Sequence, residues 1–150
     1  MVCLGNICRS PVAEGILRAK ALHYNLPITV DSAGTSNYHI GQAPDERSAE
    51  NATKRGVDIS KLKGRQFVYK DFSDFDFIYV MDQSNYNNVM DIARTEIDRN
   101  KVEMILNVVQ PKSNKAVPDP YYGGPEGFNT VFNLLEEACD KICLDFKAKL

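Results

Sequence analysis

Apolar positions recur along the chain with two different periods, and the alternation between them predicts the elements of the fold. Val12, Ile16, Ala19 and Leu22 share one face at a 3.6-residue period, so residues 11–24 read as an amphipathic helix. Pro11 opens it, because a first helical position leaves its N–H unpaired in any case. Phe77–Met81 is a continuous apolar run too short for a helix, the pattern of a central parallel strand covered on both faces. Shorter runs at 1–3, 28–31 and 102–106 read as further strands. Residues 45–55 form a polar-faced helix stopped by Gly56. Residues 82–94 form another, with Tyr86, Val89, Met90 and Ala93 inward. The last helix, about 125–149, carries a stripe of Phe128, Val131, Phe132, Leu135, Ala138, Cys139, Ile142 and Phe146. Residues 4–10 and 32–35 are turns, and 65–75 is loop with a short helix. Residues 107–124 form a long polar loop with three prolines and two glycines, and a loop of that length in a compact domain is usually functional.

Strands alternating with helices predict an α/β fold: a three-layer sandwich in which a parallel sheet has helices on both faces. Ligands of such sheets sit beyond the carboxyl ends of the strands. The turns after Val2, Asp31, Met81 and Leu106 therefore share one edge, which gathers residues 3–10, 32–38, 82–85 and 107–124. The 150 residues suit one domain, 1–150. With 43% apolar and 25% charged residues, disordered, collagen-like and disulfide-stapled classes are excluded. Eighteen basic against twenty acidic groups argue against nucleic acid and against a polybasic membrane surface. No apolar run is long enough to span a membrane. No leader pattern precedes residue 1, so the reducing cytoplasm is the expected compartment, with Cys3, Cys8, Cys139 and Cys143 as free thiols. No histidine stands at zinc-finger spacing from either cysteine pair, and no metal is expected.

The chemistry concentrates at the first turn. Cys3 and Arg9 flank Leu4-Gly5-Asn6-Ile7-Cys8, and Ser10-Pro11 follow. A strand-to-helix turn of this length can wrap a tetrahedral oxyanion with inward backbone N–H groups, aided by the helix N-terminus. Gly5 and Asn6 tolerate the positive φ that such a nest requires. Arg9 offers a planar fork for two phosphate oxygens. The same field favours a thiolate at Cys3. Complete ionisation would gain only about thirtyfold, roughly 2 kcal/mol. Most acceleration of a phosphoryl transfer must therefore come from the amides and Arg9 around the equatorial oxygens. Ser10 is placed to donate to the sulfur and ease its departure. The Cys–Arg spacing alone is weak evidence, since a buried structural Cys beside a solvated Arg would match it. Gly5, Asn6, Ser10, Pro11 and the placement between strand and helix make it specific.

Breaking an ester bond to oxygen also needs an acid. Asp119 stands between Pro118 and Pro120, which fix the backbone around an otherwise mobile carboxylate. Asp-Pro alone is a common turn initiator, but the shared edge makes Asp119 the candidate general acid and base. Tyr38, Tyr121 and Tyr122 are candidates to wall a slot for a flat ring, or half-buried packing residues. His39 follows Tyr38 and is a candidate substrate contact, whereas His23 reads as a solvated helix end.

These residues resemble the low-molecular-weight protein tyrosine phosphatase family. The likeness runs over the whole chain, through Val-Cys-Leu-Gly-Asn-Ile-Cys-Arg-Ser-Pro at 2–11, Asp-Ser-Ala-Gly-Thr at 31–35, Val-Met-Asp-Gln-Ser-Asn at 80–85 and Asp-Pro-Tyr-Tyr at 119–122. It implies a four-stranded parallel sheet of order 2-1-3-4, no metal and no cofactor. It implies hydrolysis of phosphotyrosine and small aryl phosphates through a cysteinyl-phosphate on Cys3. Arg9 would bind phosphate with the backbone of Leu4, Gly5, Asn6, Ile7, Cys8 and Ser10, and Asp119 would be the acid and base. Asn6, Ser10 and Ser32 would form the hydrogen-bond net, Leu4, Tyr38, Tyr121 and Tyr122 the slot, and Asp82 a supporting position. Partners would be phosphotyrosine-containing proteins, with inorganic phosphate or sulfate as product-like ligands. Cys8 is either a small loop-filling residue or, as the resemblance favours, the thiol that traps an oxidised Cys3 as a disulfide. One departure is that only Met1 and Val2 precede Cys3 where the family has several apolar residues. The first strand is then short or the true start lies upstream, with a stability deficit as one consequence.

Three other readings share parts of this pattern. Arsenate reduction on the same fold needs a resolving pair after the third strand, and residues 76–118 hold no cysteine. A protein-arginine phosphatase would resemble this loop but carry Thr at the place of Ile7. A non-catalytic phosphotyrosine-binding module would not need Cys3, Arg9 and Asp119 together.

Overall fold

The structure is a computed structural model describing residues 1–150. Four strands, β1 (Val2–Cys3), β2 (Ala33–Gly34), β3 (Ile78–Val80) and β4 (Val102–Met104), form one all-parallel sheet in the order β2-β1-β3-β4. Five α-helices lie between the strands, α1 (Arg9–His23), α2 (Glu46–Lys54), α3 (Asp71–Asp74), α4 (Gln83–Ile92) and α5 (Glu96–Asn100), and a sixth, α6 (Pro125–Ala148), follows the last strand. Val2 pairs with both Ala33 and Val80, so β1 lies at the centre of the sheet.

Side chains alternate across each strand and divide the core into two layers. Cys3 and Met81 join Ile16 and Leu17 of α1 and Phe132, Leu135 and Ile142 of α6 on one face. Val2, Ile78, Val80, Val102 and Met104 join Phe72 of α3 and Val89 of α4 on the other. The expected three-layer architecture, strand order and parallel pairing are those observed. No helix is long and apolar enough to cross a membrane.

Several boundaries differ from expectation. The second strand is Ala33–Gly34, not 28–31, because β1 offers Val2 and Cys3 as its pairing residues. The segment read as a turn is therefore the strand, and its outer edge is covered by Arg65–Phe67 through Gly34 N–H to Arg65 O and Phe67 N–H to Gly34 O. Helix α1 starts two residues early, at Arg9, which places Pro11 in its third position, where an N–H is still without an intrahelical partner. Its inward face is Val12, Ala13, Ile16, Leu17 and Ala21, whereas Ala19 and Leu22 are exposed. The fourth strand stops at Met104, and Ile105–Val108 turn as a 3₁₀ helix whose Ile105 and Leu106 remain buried against α6. Helix α5 was not foreseen. Its few apolar residues hide it, but Thr95 and Asp98 form a reciprocal capping box.

Candidate active site

The turn between β1 and α1 folds back on itself because Asn6 adopts φ 57°, the left-handed region that asparagine tolerates. Its backbone N–H donates to Cys3 Sγ at 3.3 Å. Carbonyls of the turn are held outward: Cys3 O accepts from Thr35 N–H, Leu4 O from Ser36 N–H and Ile7 O from Asp45 N–H. That arrangement leaves the concave side to the amides, the geometry of an anion nest. Gly34 passes so close behind the turn that a Cβ there would stand 2.8 Å from Leu4 O. His39 packs over Gly5, where a Cβ would meet its Cδ2 at 3.0 Å.

A buried hydrogen-bond chain fixes the sulfur. Arg65 N–H can only donate, so the Asn6 side-chain atom it meets at 3.0 Å is Oδ1. Asn6 Nδ2 then donates to Ser10 Oγ at 2.7 Å and to Ser32 Oγ at 3.0 Å. Ser10 Oγ lies 3.1 Å from Cys3 Sγ. Ser32 Oγ donates to Glu14 Oε1 at 2.6 Å.

Arg9 is buried and held from below. Its Nη1 donates to Asp82 Oδ2 at 2.7 Å and to Val117 O at 3.0 Å, and Nη2 stands 3.7 Å from Asp119 Oδ2. Asp82 also caps α4, accepting from Asn85 N–H at 2.8 Å. Val117 N–H donates to Met81 O at 2.8 Å, which ties the loop bearing Asp119 to the end of β3. Asp119 is 41% exposed, and its Oδ1 accepts from Tyr121 N–H at 3.0 Å. The carboxylate thus stands at the mouth, reachable by both a leaving oxygen and water.

These groups line one cavity of about 210 Å³ formed by Cys3, Leu4, Gly5, Ile7, Cys8, Arg9, Tyr38, His39, Asp119, Tyr121 and Tyr122. Tyr121 and Tyr122 meet edge to face at 4.9 Å between ring centres. Arg47 stacks over Tyr121 and Phe128 and is paired with Asp45, which props the tyrosine side of the slot. A larger cavity of about 380 Å³ opens at the opposite ends of the strands, among Met1, Ile28, Asp31, Phe75 and Phe77. It includes neither Cys3 nor any other residue of the cradle, so the smaller cavity is the candidate active site.

The structure gathers the proposed site residues at that cavity: Cys3, Leu4, Gly5, Ile7, Cys8, Arg9, Tyr38, Asp119, Tyr121 and Tyr122 on its wall, with Asn6, Ser10, Ser32 and Asp82 behind it. Asn85 and residues 107–116, expected on the same edge, do not reach it. Asn85 is buried at the start of α4, and Asn107 pairs with Asn114 within its own loop. Sequence reasoning missed Glu14, Arg65, Val117, Gly34 and Arg47. Glu14 had a signal, a carboxylate one turn after Ser10 and one turn before Arg18 on the inward face of α1. The others act through backbone atoms or through packing that only the fold supplies.

The four thiols are free and buried. Burial, opposed by a hydrogen bond with Ser48, pushes the Cys8 thiol up to about 12. Burial also raises Cys139 and Cys143, which lie in the core between α1 and α6. Neither of these two thiols lines the cavity that holds Cys3, so the pair gives no support to the arsenate-reducing alternative.

A family model described as "Low molecular weight phosphotyrosine protein phosphatase" matches residues 1–150. A low molecular weight phosphotyrosine protein phosphatase of Schizosaccharomyces pombe is 40% identical over 134 residues, covering 87% of this chain and 85% of that protein. The solved protein tyrosine phosphatase of Entamoeba histolytica, with Hepes in its active site, superposes with TM-score 0.91 at 38% identity, covering 99% of this chain and 96% of that one. A Drosophila arginine phosphatase superposes with TM-score 0.89 at 32% identity, covering 97% and 95%.

Proposed function

The chain belongs to the low molecular weight phosphotyrosine protein phosphatase family and is a protein-tyrosine phosphatase, and from that premise we propose that Cys3, Arg9 and Asp119 carry its reaction. Cys3 Sγ attacks phosphorus in line with the ester oxygen. The amides of residues 4–10 and the fork of Arg9 hold the three equatorial oxygens, whose charge they stabilise more in the transition state than in the ground state. Asp119, protonated at the start, gives its proton to the leaving phenolic oxygen. It then takes a proton from the water that attacks the cysteinyl-phosphate, and the sulfur leaves as thiolate towards the Ser10 hydroxyl. The single observation that supports this most strongly is the convergence of Cys3, Arg9 and Asp119 on one cavity, with Asp119 Oδ2 3.7 Å from Arg9 Nη2.

The substrate is a phosphotyrosine side chain on a protein, with small aryl phosphates as surrogates. Leu4, Ile7, Tyr38, Tyr121 and Tyr122 supply an apolar slot for the ring, and His39 stands at its rim beside Gly5. An arginine phosphatase of the same fold keeps a second reading in view. Ile7 and the paired tyrosines favour an aryl ester over a guanidinium phosphate. Initial rates with phosphotyrosine, phosphoserine and phosphoarginine peptides test this: phosphotyrosine is expected to be fastest, and a faster phosphoarginine peptide would reverse the assignment.

Cys8, adjacent to the nucleophile's cavity and a neutral thiol at physiological pH, would condense with a Cys3 sulfenic acid formed by peroxide. That step forms the S–S bond and releases water, and it prevents further oxidation. Peroxide treatment followed by peptide mass analysis is expected to find a Cys3–Cys8 link, and Cys3 sulfonate without that link would contradict it. Four free thiols and an oxidisable nucleophile suit a reducing cytoplasm.

A further inference from the structure

We propose that Glu14 is a positioning residue for the reaction at Cys3: as the terminal acceptor of the chain Cys3–Ser10–Asn6–Ser32, it keeps the Ser10 hydroxyl proton aimed at the sulfur. The proposal rests on the reading of Cys3 as nucleophile.

Donor and acceptor bookkeeping fixes the direction of every link. Asn6 has two amide protons and spends both, one on Ser10 Oγ at 2.7 Å and one on Ser32 Oγ at 3.0 Å. Each serine oxygen therefore accepts from Asn6 and must send its own proton elsewhere. For Ser32 the destination is Glu14 Oε1 at 2.6 Å. For Ser10 the choices are Cys3 Sγ at 3.1 Å and Ala33 O at 3.5 Å, and the sulfur is the nearer. The carboxylate draws the Ser32 proton to itself and leaves the lone pairs of that oxygen facing Asn6, which strengthens the next link. Arg65 N–H clamps the other side of Asn6 through Oδ1.

Glu14 itself is built in. It is 3% exposed on α1, and its second oxygen accepts from Arg18 Nη2 at 2.6 Å, whose guanidinium also donates to Val30 O at 2.8 Å. The other charges around this end of the chain are the Met1 amino group, which donates to Asp31 O, and Arg65, paired with Asp31 and Asp71. A buried carboxylate needs such partners. None of them, however, requires the serine link, so Glu14 acts on the site through Ser32 and not only as half of an ion pair.

Glu14→Gln keeps the shape but brings an NH₂ to a place where one oxygen accepted from Arg18 and the other from Ser32. One of those two contacts must become donor to donor, or Ser32 loses the acceptor for its proton. The step that most needs a proton at the sulfur is departure of the thiolate from the cysteinyl-phosphate. Stopped-flow with an aryl phosphate separates it from the first step, as a burst of phenolate followed by slower turnover. The native protein is expected to show the burst, and its absence would sink the nucleophile reading itself. Glu14→Gln is expected to keep the burst amplitude while turnover after the burst falls about tenfold. In a Ser10→Ala background the same change is expected to have no further effect, because the hydroxyl it acts through is gone. Ser32→Ala, which cuts the link and leaves the Glu14–Arg18 pair intact, is expected to slow the same phase, and it carries the test if Glu14→Gln does not fold. Unchanged turnover in Glu14→Gln or in Ser32→Ala, amplitude and turnover falling in proportion, or an equal loss in the Ser10→Ala background would each overturn the proposal.

Discussion

The proposed role of Cys3 as nucleophile rests on its neighbours. Sulfur that receives N–H from Asn6 and lies 3.1 Å from a hydroxyl whose proton has been released to it can arrive and leave as an anion. Cys3→Ser is therefore expected to abolish turnover of an aryl phosphate while sulfate still binds, since the cradle and Arg9 remain. Residual turnover above the uncatalysed rate, followed over hours, would contradict the assignment. Asp119 answers to a different probe. A phenyl ester needs a proton on its leaving oxygen more than a nitrophenyl ester does, so Asp119→Ala is expected to slow the poor leaving group about tenfold more than the good one. Equal losses across a leaving-group series would remove its acid role. Most of these residues were legible in the sequence because their chemistry is in their side chains. Glu14 and Arg65 were not, because a glutamate in a helix reads as a solvated charge until the fold brings Ser32 to it, and Arg65 reaches Asn6 through its backbone N–H, which no side-chain pattern marks.

The elements supply the precision. Helix α1 begins at Arg9, so the guanidinium leaves its first turn already pointing below the cradle, where Asp82 from the start of α4 and Val117 from the long loop fix it. Strand β2 presses on the cradle from behind through Gly34, which has no side chain to stand between the two backbones. Gly34→Ala is expected to cost about 1–3 kcal/mol, because its Cβ meets backbone oxygen and not a side chain that can turn aside. A lower Tm together with weaker phosphate binding would agree, and an unchanged Tm would show that the turn can yield. The long helices and the buried central strand were readable from period and run length. The second strand was not, because in a parallel sheet the residues that pair are chosen by the register with β1, and that register leaves no mark in the local pattern of residues 28–35. Likewise the fourth strand and the 3₁₀ turn after it form one apolar run, and only the packing of Ile105 and Leu106 against α6 separates them.

At the scale of the whole molecule, two apolar layers hold a short sheet whose carboxyl ends carry the proposed site. Burial of thiols and a phenol in those layers gives stability a defined pH dependence. The Cys8 thiol is pushed up to about 12, and burial raises Cys139 and Tyr79 as well. Each keeps its proton in the folded state at a pH where the unfolded chain has lost it. Their contribution is therefore complete below the ordinary thiol range and is lost as pH rises from about 9 towards 12. On the acid side, Asp45, Asp58 and Asp98 are held below the usual carboxylate range, the first two by side-chain hydrogen bonds with Arg47 and Ser60 and Asp98 by the Arg94 backbone N–H, so their contribution fades as pH falls below about 4. Denaturant midpoints measured across pH are expected to fall at both ends, and a midpoint that rises between pH 9 and 11 would contradict the alkaline half.

The measurement that bears most directly on the account is rapid quenching of the enzyme with an aryl phosphate, followed by mass analysis of its peptides. The account predicts one phosphoryl group on the peptide that carries Cys3, formed within the burst and lost at the rate of turnover. A phosphoryl group on any other residue, or turnover that proceeds with none, would contradict it.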